Sequence, residues 1–166
     1  LDAGARRIAI TTSGGGKSLI RIEDDGHGMD EADLLLSVER HATSKLSEDT
    51  LDSIRTLGFR GEALASIGSV SDLSIASRPA DAESGLKITL SRGRREGPVP
   101  VGMNRGTVIE VKNLFAAIPA RLKFLKSDRA EANAITDVVK RLAMAHRGVH
   151  FTLTGSDRSG SNWPVQ

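Results

Sequence analysis

The residues best placed to do chemistry are the carboxylates and glycines of Asp24-Asp25-Gly26-His27-Gly28-Met29. Glycines one residue apart leave no Cβ between the backbone and a flat ligand. A carboxylate beside them accepts from an amino group on that ligand. Adenine carries such a donor at its exocyclic nitrogen, where guanine carries an acceptor. The stretch therefore predicts an adenine seat with Asp24 as its reader. The plain alternative is a simple turn, since Asp and Gly are ordinary turn residues. The segments downstream decide between the two.

Several of those segments carry usable groups. Arg40-His41-Ala42-Thr43-Ser44-Lys45 is polar and follows neither the helical nor the strand period. Leu57-Gly58-Phe59-Arg60-Gly61-Glu62-Ala63-Leu64 leads into a short helix predicted from Glu62 to Ile67. Amides at a helix start bind phosphate without a side chain, and Lys45 and Arg60 add charge; solvated surface is the alternative for both. A stretch such as 39–61, with so little regular structure, is usually functional. A mobile lid is the expectation. Gly16-Lys17-Ser18 hints at a phosphate loop, but that motif needs a glycine where Thr11 stands, and its setting is strand, turn, strand. His146 and His150 are separated by a helix stop and make a poor metal pair.

These groups must be positioned by a framework, and the periodicity supplies one. Strands are expected at Ala5–Thr12, Ser18–Asp24, Val70–Ser77, Gly85–Ser91, Gly106–Lys112 and Val149–Leu153, with turns at Arg78-Pro79 and across Gly93–Gly102. Asp30 should cap a helix reaching about Val38, with Leu34, Leu35 and Val38 inward. Ser47-Glu48-Asp49 can cap another through Ile54. A short helix should run from Pro119 to Leu125. Asp128 should cap a long one, with Glu131 in the reciprocal place, Ile135, Val138, Val139 and Leu142 as its apolar stripe, and Gly148 as its stop. Hairpin-linked strands with helices on one face mean an α+β two-layer sandwich with a mixed, mostly antiparallel sheet.

The chain has 166 residues, no cysteine and a formal charge of +2. That is about one domain, with no disulfide framework and no thiolate metal site. No apolar run is long enough to span a membrane and no signal peptide is visible, so a cytoplasmic protein is the default. Arg92, Arg94 and Arg95 cluster in a Gly-rich turn, where a solvated loop competes with a DNA contact. One Trp, four Phe and no Tyr argue against a stacking platform for single strands. The opening at Leu1 without Met, and an end without helix or tail, suggest a piece of a longer protein.

In order and spacing, Asp24 to Met29, Arg40 to Lys45, Gly58 to Leu64 and Gly106-Thr107 resemble the MutL family of DNA mismatch-repair proteins. Their N-terminal part is a Bergerat (GHKL-type) ATPase. The Asp-x-Gly-x-Gly element marks only the superfamily; Arg40 to Lys45 and Gly58 to Leu64 are more specific to MutL, and Pro119 to Leu125 also fits. The resemblance implies that ATP binds at Asp24, Gly26, Gly28, Met29, Thr43, Ser44, Lys45, Leu57, Gly58, Phe59, Arg60, Gly61, Glu62, Ala63 and Thr107. Asp24 would accept from the adenine amino group, directly and through water, and Thr107 would support that carboxylate and water. Lys45 would meet phosphate, and the amides from Gly58 to Ala63 would cradle it. Residues 1–166 would be one ATP-binding domain, truncated at both ends, with 39–61 as its lid.

The resemblance has gaps. The family's first helix carries the catalytic Glu and the Mg²⁺-binding Asn, and runs into Asp-Ala-Gly-Ala. Asp2-Ala3-Gly4-Ala5 is present, so that pair is expected upstream of Leu1. This chain should then bind nucleotide weakly and turn it over poorly or not at all, while its parent is an ATPase. Ala117-Ile118 replaces the Asn-Thr usual before Pro119 and cannot cap. The expected partners are DNA, a mismatch-recognition protein, a downstream endonuclease or helicase, and a second copy in an ATP-dependent homodimer. Two other readings compete: a topoisomerase or sensor kinase of the same superfamily, and a DNA-binding module that ignores ATP.

Overall fold

The structure is a computed structural model that describes residues 1–39 and 62–165. The lid expectation and the Ser47–Ile54 helix therefore lie outside the described residues, Glu39 excepted. Among the described residues one mixed sheet has strand order β5-β4-β3-β6-β2-β1-β7-β8. The strands are β1 (Arg7–Ser13), β2 (Leu19–Asp24), β3 (Asp72–Arg78), β4 (Gly85–Ser91), β5 (Arg94–Val101), β6 (Gly106–Lys112), β7 (His150–Gly155) and β8 (Ser161–Trp163). Only β1 and β7 pair in parallel; the other neighbours are antiparallel.

Alternation along each strand gives the sheet two unlike faces. One face carries Ile8, Ile10, Ile20, Val111, Leu73, Ile75, Ile88, Phe151 and Leu153 in cross-strand register. The other is polar, with Arg21 bonded to Glu110 at 3.0 Å and to Glu23 at 2.8 Å. Burial opposes the Glu110 charge, but Arg21 and Lys112 prevail and hold its carboxyl below the usual range. The helices α1 (Glu31–Leu36), α2 (Ala63–Gly68), α3 (Pro119–Leu122) and α4 (Asp128–Ala145) complete the described elements, and the apolar face is buried in two places. Val139 and Ala143 of α4 cover Ile8, Ile10, Phe151 and Leu153. Leu34 and Val38, from α1 and just beyond it, cover Leu73, Ile75, Ile88 and Val111. This is the expected α+β sandwich with helices on one face.

Four local expectations need correction. Residues 94–101, expected as turn, form edge strand β5, whose Pro98 and Pro100 are tolerable because an outer edge needs no ladder donors. Strand β8 is too short for alternation to reveal. The cap of α4 is Ser127, whose hydroxyl accepts from the Ala130 amide at 3.3 Å, while Glu131 accepts from the Lys126 amide at 2.8 Å. Asp128 instead pairs with Lys17 at 2.8 Å, tying α4 to the turn between β1 and β2. Within α4, Val138 is 56% exposed, and the buried stripe uses Ala132 and Ala143. The helix ends at Ala145 with His146 at the cap, and Gly148 has no left-handed backbone to act as a stop. Asp30 caps α1 as expected, accepting from Asp33 at 2.9 Å, and Ile118 makes no capping bond for α3.

Candidate functional site

Between the two buried clusters the described residues leave the apolar face partly bare. Ile22, paired with Ile10 and Ile109, belongs to neither cluster and is 38% exposed. The next row toward the strand ends runs Leu86, Ser77, Thr107, Asp24, Ile8, Phe151 across β4, β3, β6, β2, β1 and β7. Three consecutive polar side chains interrupt an otherwise apolar row, beside the bare patch. Directly opposed residues in a sheet have Cβ atoms only about 5 Å apart. Asp24, Thr107 and Ser77 therefore form one contiguous polar ledge.

The two adjacent carboxylates have different work. Asp25 turns away from the ledge, and its Oδ1 accepts from the amides of Arg6 and Arg7 at 2.8 and 2.9 Å. Burial raises its pKa, yet the Arg7, Arg6 and Asp25 amides, with Arg105, bring the carboxyl below its ordinary value. Asp25 is thus a structural clamp. Asp24 stands in the ledge row opposite Thr107, and its Oδ1 accepts from the Gly26 amide at 2.9 Å. Of its two oxygens, Oδ2 has no such bond among the described residues.

The turn after Asp24 is held from both sides. The His27 amide donates to Ala3 O at 3.0 Å, and Arg105 Nε donates to Gly26 O at 3.1 Å. Gly28 has φ +77, and a Cβ there would run into the Arg78 carbonyl. A Cβ on Gly26 would lie 2.7 Å from the Ala3 Cβ. Both glycines are therefore required by the chain's own packing, whether or not a ligand also uses the space. The Met29 amide then donates to Ser77 Oγ at 2.8 Å. Ser77, 1% exposed, also lies 2.9 Å from Thr107 Oγ1 and 3.1 Å from Gly106 O.

Of the residues expected to bind nucleotide, the structure brings Asp24, Gly26, Gly28, Met29 and Thr107 together. Glu62 and Ala63 stand at the start of α2, where a helix start was expected, and the Glu62 side chain makes no capping bond there. Thr43, Ser44, Lys45, Leu57, Gly58, Phe59, Arg60 and Gly61 lie outside the described residues. Sequence reasoning missed Ser77. Its signal was a polar residue in phase with the inward Leu73 and Ile75, where alternation called for an apolar one. A cavity of about 230 Å³ is lined by Ser77 of the ledge and by Met29 beside it, and extends toward Pro79, Ala82 and Leu86. It is a neighbour of the ledge and does not contain Asp24 or Thr107. Among the described residues no group of three or more His, Cys, Asp or Glu side chains is placed to hold a metal. No described helix is long and apolar enough to cross a membrane.

Comparison with known proteins points one way. Residues 1–102 match the family of histidine kinase-, DNA gyrase B- and HSP90-like ATPases. The chain is 56% identical over 165 residues to the DNA mismatch repair protein MutL of Brucella abortus, covering 99% of this chain and 26% of that protein. It is 58% identical over 165 residues to MutL of Rhizobium etli, covering 99% of this chain and 27% of that one. It thus spans about a quarter of the length of these relatives. Its fold is similar to that of the Aquifex aeolicus MutL ATPase domain complexed with ADP, with TM-score 0.79, 29% identity, and coverage of 99% of this chain and 58% of that one.

Proposed function

This chain belongs to the histidine kinase-, DNA gyrase B- and HSP90-like ATPase family, in its MutL branch, and we propose that it works as the ATP-binding core of a mismatch-repair protein. The observation that carries the nucleotide reading is the ledge Asp24-Thr107-Ser77 beside the bare side chain of Ile22. A purine suits such a place. Its face rests on apolar surface, and its exocyclic amino group meets a carboxylate oxygen to which no described residue donates. The Aquifex relative, seen with ADP, supports the same ligand class.

In this reading Asp24 accepts from the adenine amino group and Thr107 assists. The turn Gly26–Met29 forms the wall beside the base. Thr43, Ser44 and Lys45, with the backbone from Leu57 to Ala63, hold the phosphates, and residues 39–61 act as lid. Phosphoryl transfer relies on positioning and on neutralising charge, which Mg²⁺ supplies when bound with the nucleotide. The binding residues here hold and orient the ligand. ATP selects the closed lid, and the closed form pairs two copies and signals to the repair machinery. DNA, a mismatch-recognition protein and a downstream endonuclease or helicase are the partners, in the cytoplasm.

Titration calorimetry with a non-hydrolysable ATP analogue tests this. Saturable binding that GTP does not match is expected. Salt-sensitive DNA binding without any nucleotide binding would overturn it in favour of a plain DNA-binding module.

A further inference from the structure

We infer that Ser77 is a positioning residue for base selection: it fixes Thr107 as a hydrogen-bond acceptor toward the ligand. The inference rests on the adenine reading above and adds a specificity device to it.

A serine hydroxyl has one hydrogen and two lone pairs. At Ser77 the Met29 amide, 2.8 Å away, can only donate, so it uses one lone pair. Gly106 O, 3.1 Å away, can only accept, so it calls for the single hydrogen. Thr107 Oγ1, 2.9 Å away, can do either. One arrangement satisfies all three neighbours: Ser77 donates to Gly106 O, and Thr107 donates into the second lone pair. In a buried site full satisfaction is favoured, because an unmade bond is costly. The hydrogen of Thr107 is then committed to Ser77, and only its lone pairs remain for the ligand.

Asp24 stands on the other side of Thr107 in the same row. The side chains of the ledge then offer the ligand edge acceptors and no hydrogen. A 6-amino purine brings the missing hydrogens. A purine with an oxygen at that position sets acceptor against acceptor. Removing the Ser77 hydroxyl frees the Thr107 hydrogen to turn toward the ligand, which relaxes the penalty on the oxygen-bearing base.

The test compares ATP with 6-methoxypurine riboside triphosphate, which puts an acceptor at position 6 while leaving N1 unprotonated as in adenine. Binding is measured by calorimetry on the full natural chain for the unaltered protein, Ser77→Ala, Thr107→Val and the double variant. Ser77→Ala should lower the ATP preference at least about threefold, as expected for one neutral hydrogen bond. In the Thr107→Val background the same change should leave the preference where it was, because no hydroxyl is left to reorient. Equal weakening of both ligands, or a Ser77→Ala effect that persists without the Thr107 hydroxyl, overturns the inference and leaves the ATP reading standing. If the unaltered protein binds neither ligand, the ATP reading falls and takes this inference with it. A fall in thermal stability shared by both backgrounds cancels in the ratio, so loss of packing alone cannot mimic the expected result.

Discussion

Replacing Asp24 with Asn is the sharpest perturbation of the site, because the surrounding bonds dictate how the new side chain must sit. Asp24 Oδ1 accepts from the Gly26 amide at 2.9 Å. An Asn keeps that bond with its carbonyl oxygen, since only the oxygen can accept. Its amino group then occupies the place of Oδ2 and faces the seat. A donor has replaced an acceptor where adenine also presents a donor. Losing a hydrogen bond to a charged group costs about 1.5–3 kcal/mol, or roughly 10- to 150-fold in Kd. The donor-on-donor contact adds to this, so ATP-analogue binding should drop below detection for a weak binder. The fold should survive, because the Gly26 bond survives. Calorimetry gives the affinity, and a thermal melt of the same sample reports the fold. An Asp24→Asn protein that melts normally and binds within about twofold of the parent would show that Asp24 does not read the base.

The neighbouring carboxylate predicts the opposite pattern. Asp25 has its pKa lowered in the folded chain, so its stabilising contribution is full above the ordinary value near 4 and fades as the pH falls through the lower folded value. Acid titration followed by circular dichroism should show Asp25→Asn less stable than the parent at pH 7, with the gap closing below about pH 4; a gap independent of pH would refute the clamp. Gly28→Ala forces an L side chain to φ +77 and into the Arg78 carbonyl, a strain of order 1–3 kcal/mol; an unchanged urea midpoint would contradict this packing. At the start of α4, Ser127→Ala should cost about 1 kcal/mol. Asp128→Ala should cost less, about 0.2–1 kcal/mol, for a partly exposed pair with Lys17, and the reverse order in chemical denaturation would restore Asp128 as the cap.

Much of this protein was legible in its residues alone. Alternation at Ile8 and Ile10, at Leu73 and Ile75, and along Gly106–Lys112 exposes strands because a half-buried sheet repeats every two residues. The acceptor-and-glycine pattern at Asp24 to Met29 pointed to the candidate site, and the Asp30 cap followed from local geometry. Strands at the two edges escaped detection for opposite reasons: β5 contains prolines that only an edge tolerates, and β8 is too short for a period to show. Local sequence also could not rank Ser127 against Asp128, because the choice depends on Lys17, which is far away along the chain.

What only the tertiary structure decided is which neighbour does what. Asp24 and Asp25 are chemically identical and adjacent, yet strand pleating turns one to the ledge and the other to the Arg6 and Arg7 amides. Gly26 and Gly28 looked open for a ligand, while packing fills their missing side-chain space with Ala3 and Arg78. Ser77 joins Thr107 only because β3 and β6 are neighbours in the sheet, a pairing between residues thirty positions apart in the chain. Residue types and short-range periods are properties of the chain as written. Hydroxyl orientation and the direction of a carboxylate are set by contacts that exist only once distant strands have met.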